Sequence, residues 1–395
     1  MSNMIETGIP KLDKYLGGGI PEGKSLLFYI SPEVEESNMG IHVLHHNLEK
    51  GKDCVYVISE SSPKHLEQSF REFGWDIKKY GERLLVVDGY SRLIGAPSEE
   101  KYVILEPHDI LSYEDVANEM LENLPSNTVV VFDSLSNMMD LCGERETLQG
   151  IYRINEEIGK RNGVSIYNFT AWPYKESIIY RIKRGFDGIV EITPTSNGVF
   201  TGQKYQVSKT NWDGKLGKPV MFRTYKPGGI RIYIPKILVM GPFRSGKTTF
   251  IKTLSKQFTS VDRLGATIAI EHGTVDRAGC RAEVFGIPGQ ERFSPLVEKM
   301  GASATGAILV IDSSNPEYFG DAIKMANNIR NEKIPYVIVA NKQDLTGALN
   351  EEEIKNRMGI RDVPVIKTVA TEGRGIFEAF EVLVDKIIEG GEYAG

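Results

Sequence analysis

The sequence predicts an α/β protein built from two three-layer αβα domains, each with a mostly parallel sheet. Two observations predict this class. Short apolar, β-rich runs alternate with segments of helical periodicity, and the alternation resumes after a turn-rich cluster at 226–229. Strands separated by helices need crossover connections, which favour parallel pairing. A chain of 395 residues can bury two cores. We therefore expect domains over 1–230 and 234–395.

The apolar runs set the expected strands. In the first half they lie at 25–30, 55–59, 84–88, 129–133, 165–170 and 188–192, followed by shorter runs at 205–207 and 220–224. In the second half they lie at 236–240, 267–271, 281–285, 307–312, 336–340 and 365–369. Residues 249–258 are predicted to form the first helix of the second half.

A phosphate-binding pattern opens the second half. Residues 241–248 read G-P-F-R-S-G-K-T and fill G-x-x-x-x-G-K-[ST] between a predicted strand and a predicted helix. In that context backbone N–H groups and the helix N-terminus attract a phosphate. Lys247 would reach the β- and γ-phosphate oxygens, and the Thr248 hydroxyl would bind Mg²⁺. The expected binding residues are Gly241, Arg244, Ser245, Gly246, Lys247, Thr248 and Thr249.

A second motif indicates which base is bound. Asn341, Lys342 and Asp344 belong to N-K-Q-D, directly after the predicted strand 336–340. Ligands of open α/β sheets bind at this end of a strand. The Asp344 carboxylate can accept hydrogen bonds from N1–H and the exocyclic amine of guanine. Adenine presents the wrong pattern, and such mismatches are strongly discriminated. The expected ligand is therefore a guanine nucleotide.

With these motifs, residues 234–395 resemble a small GTPase of the Ras superfamily, nearest to Arf-like proteins and the bacterial polarity switch MglA. Residues 286–293, G-I-P-G-Q-E-R-F, are similar to the D-x-x-G-Q-E switch II. The resemblance implies that the Gly289 amide contacts the γ-phosphate and that Gln290 is the catalytic residue that orients the attacking water. Thr267 resembles the switch I threonine that closes on Mg²⁺, beside Thr248.

The resemblance also implies that loop 369–371, with Ala370 and Thr371, contacts guanine O6 through a backbone amide. Its expected cofactors are GTP or GDP and Mg²⁺. One position departs from the family: Gly286 stands where most members carry an Asp that holds Mg²⁺ through water. Either the site lacks that ligand, or Glu271 or Asp276 from the adjacent strand takes its role.

The first half resembles a RecA-type ATPase of the KaiC and RadA group, so that both domains would be of the P-loop type. The resemblance rests on T-G-I-P-K-L-D at 7–13 and L-G-G-G-I-P-E-G at 16–23. The expected P-loop is degenerate: 30–37 read I-S-P-E-V-E-E-S, and Glu36 stands where the lysine should be. Three carboxylates in four residues would repel a triphosphate.

Other ATPase features survive in part. Asp133 ends an apolar strand similar to a Walker B, only Glu60 remains of two catalytic glutamates, and Asn211 replaces the Arg of a K-x-R loop. Without a P-loop, Asp133 is expected to be a structural strand-end acid. We interpret residues 1–230 as a pseudo-ATPase scaffold that does not bind nucleotide.

Composition restricts the partners and the compartment. The net charge of −6 lacks the basic excess of a nucleic-acid-binding protein. Three separated cysteines fit a reducing compartment. No apolar stretch approaches a bilayer span, and no secretory or lipidation signal is visible, so we expect a cytoplasmic protein without direct membrane insertion. The combination of the two halves suggests an archaeal origin.

The sequence thus predicts a GTP-binding switch with slow hydrolysis to GDP and phosphate. Expected partners are a protein effector, a GTPase-activating or exchange protein, and another copy of the chain through the RecA-like domain. Two alternatives stay open. One is an interaction module that binds guanine nucleotide without hydrolysis, for which Gly286 argues. The other is a KaiC-like ATP-driven ring regulated by the GTPase half.

Overall fold

A computed structural model describes residues 3–34, 38–196, 201–262, 269–287 and 304–390. The chain divides into two compact units, Met1–Arg231 and Ile232–Gly395. Both units alternate strands with helices around mostly parallel sheets, which confirms the predicted α/β class. None of the helices within these ranges is long and apolar enough to span a bilayer.

The first unit carries helices between nearly all of its parallel strands. Its strands are Met4–Ile5, Ile20–Pro21, Ser25–Ile30, Cys54–Ile58, Leu84–Asp88, Tyr102–Val103, Val129–Asp133, Val164–Thr170, Gly188–Ser196, Thr201–Thr210 and Val220–Tyr225. Its α-helices are Leu12–Tyr15, Met39–Glu49, Pro63–Glu72, Ile110–Asn123, Leu135–Cys142, Glu144–Lys160 and Glu176–Gly185, with a 3₁₀ segment at Ile77–Arg83.

The sheet of this unit has Ser25–Ile30 near its middle. That strand pairs in parallel with Val164–Thr170 on one side and with Gly188–Ser196 on the other. The parallel order continues through Val129–Asp133, Cys54–Ile58 and Leu84–Asp88 to the edge strand Tyr102–Val103. Beyond Gly188–Ser196 the pairing becomes antiparallel. Strands covered on both faces are continuously apolar, as Cys54–Ile58 is, with every residue buried.

Helix Glu144–Lys160 shows how the sequence positions a helix against this core. Its buried residues, Thr147, Gly150, Ile151, Ile154 and Ile158, recur at the three- and four-residue spacing of one helical face. Gly150 is required for close packing, since a Cβ there would lie 2.3 Å from Cγ1 of Ile110. Glutamates in the first turn and a lysine in the last complement the helix dipole.

The second unit repeats the alternation on a smaller scale. The strand Gly229–Met240 belongs to this unit from Ile232 onward. The other strands are Gln257–Asp262, Ala269–Arg277, Cys280–Gly286, Gly306–Asp312, Tyr336–Asn341 and Val365–Lys367. Its α-helices are Lys247–Leu254, Phe319–Asn331, Glu351–Met358 and Ile376–Gly390, with a 3₁₀ turn at Pro316–Tyr318.

In this unit the strand that ends at Met240 pairs in parallel with Cys280–Gly286 and with Gly306–Asp312. The parallel order continues to Tyr336–Asn341 and Val365–Lys367. On the other side, Ala269–Arg277 pairs antiparallel with Cys280–Gly286. The carboxyl ends of the parallel strands therefore meet at one edge, where an α/β sheet binds its ligands.

The prediction of a helix over 249–258 is wrong at its C-terminal end. The helix spans Lys247–Leu254, and Ser255 is already extended, with φ −91° and ψ 141°. Gln257–Asp262 is instead a strand, paired antiparallel with Ala269–Arg277. Phe258, Thr259 and Val261 have the aromatic and β-branched side chains that favour a pleated sheet. Pairing with the next strand along the chain thus overrides the local helical pattern.

Candidate nucleotide-binding site

The phosphate-binding loop is the turn between Met240 and Lys247. Gly241 has φ 152°, and a Cβ on it would lie 2.0 Å from the carbonyl oxygen of Val310. Gly246 has φ 97°, and a Cβ there would lie 2.3 Å from Nδ2 of Asn341. Both positions therefore require glycine, because a side chain would collide with neighbouring groups in a conformation that L-residues rarely adopt.

Lys247 begins the helix and folds back over the loop. Its Nζ donates hydrogen bonds to the carbonyl oxygens of Gly241 at 2.9 Å and of Pro242 at 2.8 Å. Burial lowers the pKa of Lys247 to about 8, against the opposing effect of the Glu271 carboxylate. The ammonium group is thus held inside the loop, where an anionic phosphate would favour its charged form.

Asn341 connects three segments at the end of the buried strand Tyr336–Asn341. Its Nδ2 donates to the carbonyl oxygen of Ser245 at 2.9 Å. Its Oδ1 accepts from the backbone N–H of Ala370 at 3.0 Å and from the Thr368 hydroxyl at 3.2 Å. With 2% of its surface exposed, Asn341 fixes the phosphate loop and loop 369–371 to the same strand end.

Lys342 and Asp344 of N-K-Q-D differ in exposure. Lys342 has φ 65°, and its Nζ lies 2.5 Å from Oδ2 of Asp312. Burial alone would raise the pKa of Asp312, but hydrogen bonds from Lys342 and Ser314 lower it overall. Asp344 is exposed at the start of the following turn. Asp344 is therefore accessible from solvent, three residues after Asn341.

The remaining predicted residues fall into two groups. Arg244 is exposed and lies over the Phe243 ring at 5.4 Å, Thr249 is half-buried, and Thr371 is exposed beside the buried Ala370. Thr267, Gly289 and Gln290 lie outside the described ranges. The structure thus brings together the phosphate loop, N-K-Q-D and loop 369–371.

Glu271 also belongs to this site, although the sequence named it only as one of two alternatives. The Thr248 hydroxyl donates a hydrogen bond to Oε1 of Glu271. Asp276, the other alternative, lies opposite Arg281 and has Lys256 Nζ 3.5 Å from its Oδ2. The sequence indicated that an acid on the adjacent strand could take this role. Only the pairing register shows which of the two acids reaches Thr248.

The donor set at Thr248 fits Mg²⁺. A hydroxyl and a carboxylate are the hard oxygen ligands that this ion prefers. Across the part of the chain that the structure describes, no group of three or more His, Cys, Asp and Glu side chains could hold a metal. A magnesium ion here would therefore take much of its coordination from phosphate oxygens and water, as is usual at nucleotide sites.

The first unit has its own cavity of about 470 Å³ beside the degenerate loop. Both carboxylate oxygens of Asp133 are engaged there: Oδ2 accepts from the Tyr56 hydroxyl at 2.6 Å and Oδ1 from Nδ2 of Asn168 at 2.9 Å. Glu60 accepts from the Ser134 hydroxyl at 2.9 Å. Lys226, which also lines the cavity, has its Nζ 2.9 Å from Oε2 of Glu72.

Family comparison assigns both halves. A family model for the KaiC ATPase matches residues 5–237. The chain belongs to the KaiC family. A model for the ADP-ribosylation factor family, Arf, matches residues 233–387, so that the KaiC-like domain is followed by an Arf family domain. Both resemblances inferred from the motifs are confirmed.

Two kinds of relatives are similar to this chain. One is a UPF0273 protein of Pyrococcus furiosus, 33% identical over 141 residues that cover 35% of this chain and 57% of that protein. A UPF0273 protein of Pyrococcus horikoshii is 32% identical over the same coverage. The chain thus spans little more than half the length of these relatives. The chain is also similar to ADP-ribosylation factor-related protein 1 of Bos taurus, 28% identical over 169 residues, covering 38% of this chain and 84% of that protein.

Two solved structures are matched at low sequence identity. A KaiC-like protein of Pyrococcus horikoshii is matched with 20% identity and a TM-score of 0.48, covering 59% of this chain and 100% of that one. The flagellar accessory protein FlaH of Methanocaldococcus jannaschii is matched with 16% identity and a TM-score of 0.49, covering 59% and 99%.

Proposed function

We propose that this protein is a GTP-binding switch that hydrolyses GTP slowly, carried on a KaiC-like domain that does not bind nucleotide. The observation that carries the proposal is the Asn341 side chain, which joins the phosphate loop at Ser245 to the predicted guanine loop at Ala370. Three motifs separated along the chain converge on one strand end. Membership of the second half in the Arf family supports guanine nucleotide as the ligand.

The residues of the site have distinct roles in this proposal. Lys247 would leave the carbonyls of Gly241 and Pro242 for the β- and γ-phosphates. Asp344 would accept hydrogen bonds from the guanine base, and the Ala370 amide, which donates to Asn341 in this structure, would have to turn from Asn341 toward guanine O6. Thr248 and Thr267 would hold Mg²⁺, which when bound neutralises charge on the phosphates. Gln290 would orient the attacking water, and Gly289 would contact the γ-phosphate.

The contacts of Asp133 support a pseudo-ATPase interpretation of the first unit. Both oxygens of Asp133 accept hydrogen bonds, from Tyr56 and Asn168, which suits a structural acid at the end of a strand. Glu60 and Lys226 are also paired. The role of this unit would be to bind a second copy of the chain or a protein effector. A GTPase-activating or exchange protein would act on the Arf-like half.

Equilibrium binding and single-turnover hydrolysis test the proposal on the full chain. We expect fluorescent GDP and GTP analogues to bind at a stoichiometry of one, ATP not to bind, and phosphate release to be slow and lost in Gln290→Ala. If the wild type binds GTP but releases no phosphate, the result would support the non-hydrolysing module instead. Stoichiometric ATP binding would support the ATP-driven ring.

A further inference from the structure

Glu271 and Gly286 face each other across two strands of the Arf-like half. They form a directly opposed pair in the antiparallel ladder of Ala269–Arg277 and Cys280–Gly286. Residues directly opposed in such a ladder project their side chains to the same face of the sheet. A carboxylate on either strand at this position would therefore enter the same space.

Glu271 fills the space that a side chain at position 286 would need. A Cβ on Gly286 would lie 2.8 Å from Oε2 of Glu271 and 3.0 Å from its Cβ. It would also lie 2.5 Å from Cδ1 of Ile251, which belongs to the helix after the phosphate loop. Only a glycine at position 286 therefore leaves room for the Glu271 side chain in its present position.

The carboxylate of Glu271 is directed at the phosphate loop. Its Oε1 accepts the hydrogen bond of the Thr248 hydroxyl, the second residue of the helix that follows the loop. A carboxylate this close to a triphosphate would repel it unless a cation lay between the two. The negative charge of Glu271 is therefore compatible with a bound nucleotide when the complex contains a divalent cation.

We propose that Glu271 replaces, from the neighbouring strand, the carboxylate that Gly286 lacks, and that it holds Mg²⁺ next to Thr248, either directly or through a bound water. This inference rests on the proposed guanine-nucleotide function of the same site. It implies that the glycine and the glutamate are one compensated pair, so that the site retains its acid at a different position in the sheet.

The test measures how Mg²⁺ slows the release of a fluorescent GDP analogue from the full-length protein. Glu271→Gln keeps the size of the side chain and removes its charge. Because groups around a bound metal typically contribute 10- to 100-fold to metal affinity, we expect the half-maximal Mg²⁺ concentration to rise by about tenfold or more. Mn²⁺ binding to the GDP complex, followed by electron paramagnetic resonance, should weaken to a similar extent. Asp276→Asn, on the same strand, is the matched control and should leave both quantities unchanged.

A second test moves the carboxylate from position 271 to position 286. Gly286→Asp alone should weaken Mg²⁺ binding, because it adds a like charge and crowds Glu271 and Ile251. Combined with Glu271→Ala, it should restore the Mg²⁺ dependence toward that of the wild type. Tighter Mg²⁺ binding in Gly286→Asp alone, or an unchanged Mg²⁺ dependence in Glu271→Gln, overturns the inference. A wild-type protein that binds no guanine nucleotide would overturn the proposed function as well.

Discussion

Asn341 donates a hydrogen bond to the carbonyl oxygen of Ser245 at 2.9 Å, across 96 residues of sequence. The same side chain accepts from the Ala370 amide, so that its two ends hold two loops that are distant in the chain. An amide is suited to this position because it offers a donor and an acceptor at once. Neither Asp, which lacks the donor when ionised, nor Leu could replace it.

Asn341→Ala should therefore separate the loops. The change leaves the Ala370 N–H and the Ser245 carbonyl without their partner in a buried place, which destabilises a site by about 1–3 kcal/mol per group. We expect faster hydrogen exchange in the peptide that contains Ala370 and a fall in GTP affinity of about tenfold or more. Asn327→Ala, at an exposed position of helix Phe319–Asn331, is the control. If hydrogen exchange in this peptide is as slow in Asn341→Ala as in the wild type, the role given to this side chain is wrong.

Asp344→Asn should change the preferred base. The amide loses the acceptor that guanine N1–H and the exocyclic amine require, and it becomes complementary to the 2-oxo group of xanthine. We expect GTP to bind about tenfold or more weakly and xanthosine triphosphate to bind more tightly, measured by displacement of a fluorescent nucleotide. Asp362→Asn removes a charge that is also exposed and should change neither affinity. An unchanged GTP affinity in Asp344→Asn would show that another group recognises the base.

Contiguous motifs explain how much of this site the sequence could predict. The phosphate loop and N-K-Q-D each lie within one short segment after a strand, so that local pattern indicates both position and chemistry. The contact between Glu271 and Thr248 depends instead on the register of Ala269–Arg277 against Cys280–Gly286. One residue of slip would turn Glu271 to the other face. The strand Gln257–Asp262 was missed for the same reason, since it forms only with its partner.

Lys247→Ala should abolish nucleotide binding by the full chain. The lysine is the cation of the phosphate loop, and the degenerate segment 30–37 of the first unit offers carboxylates in its place. We expect neither ATP nor GTP to bind in equilibrium dialysis at concentrations that saturate the wild type with GTP. Lys252→Ala, an exposed lysine on the same helix, removes the same charge and should bind GTP normally. Residual stoichiometric binding in Lys247→Ala would show that the first unit has a working site.

His42 should make the first unit less stable in mild acid. The ring is buried, with Nε2 3.1 Å from the Gly8 carbonyl oxygen and Nδ1 3.4 Å from the Ile230 amide, an arrangement that the neutral tautomer satisfies. Burial lowers the pKa of His42 from 6.5 to about 4, with smaller contributions from the charges of His45, Arg231 and His46. A lowered pKa stabilises the folded state above pH 6.5, and this contribution is lost as the pH falls from 6.5 toward 4.

We therefore expect the free energy of unfolding of the first unit to fall by about 2 kcal/mol between pH 7 and pH 5 through His42 alone. Tryptophan fluorescence during urea unfolding measures this unit selectively, because Trp75, Trp172 and Trp212 all lie in it. His42→Gln keeps a donor and an acceptor but cannot titrate, so its stability should change less between the two pH values. The pKa of His45, stacked on Trp75, is also lowered to about 4 by burial and should leave part of the pH dependence in this variant. His108→Gln changes an exposed ring and serves as the control. If His42→Gln and the wild type lose equal stability between pH 7 and pH 5, the buried ring does not carry the pH dependence.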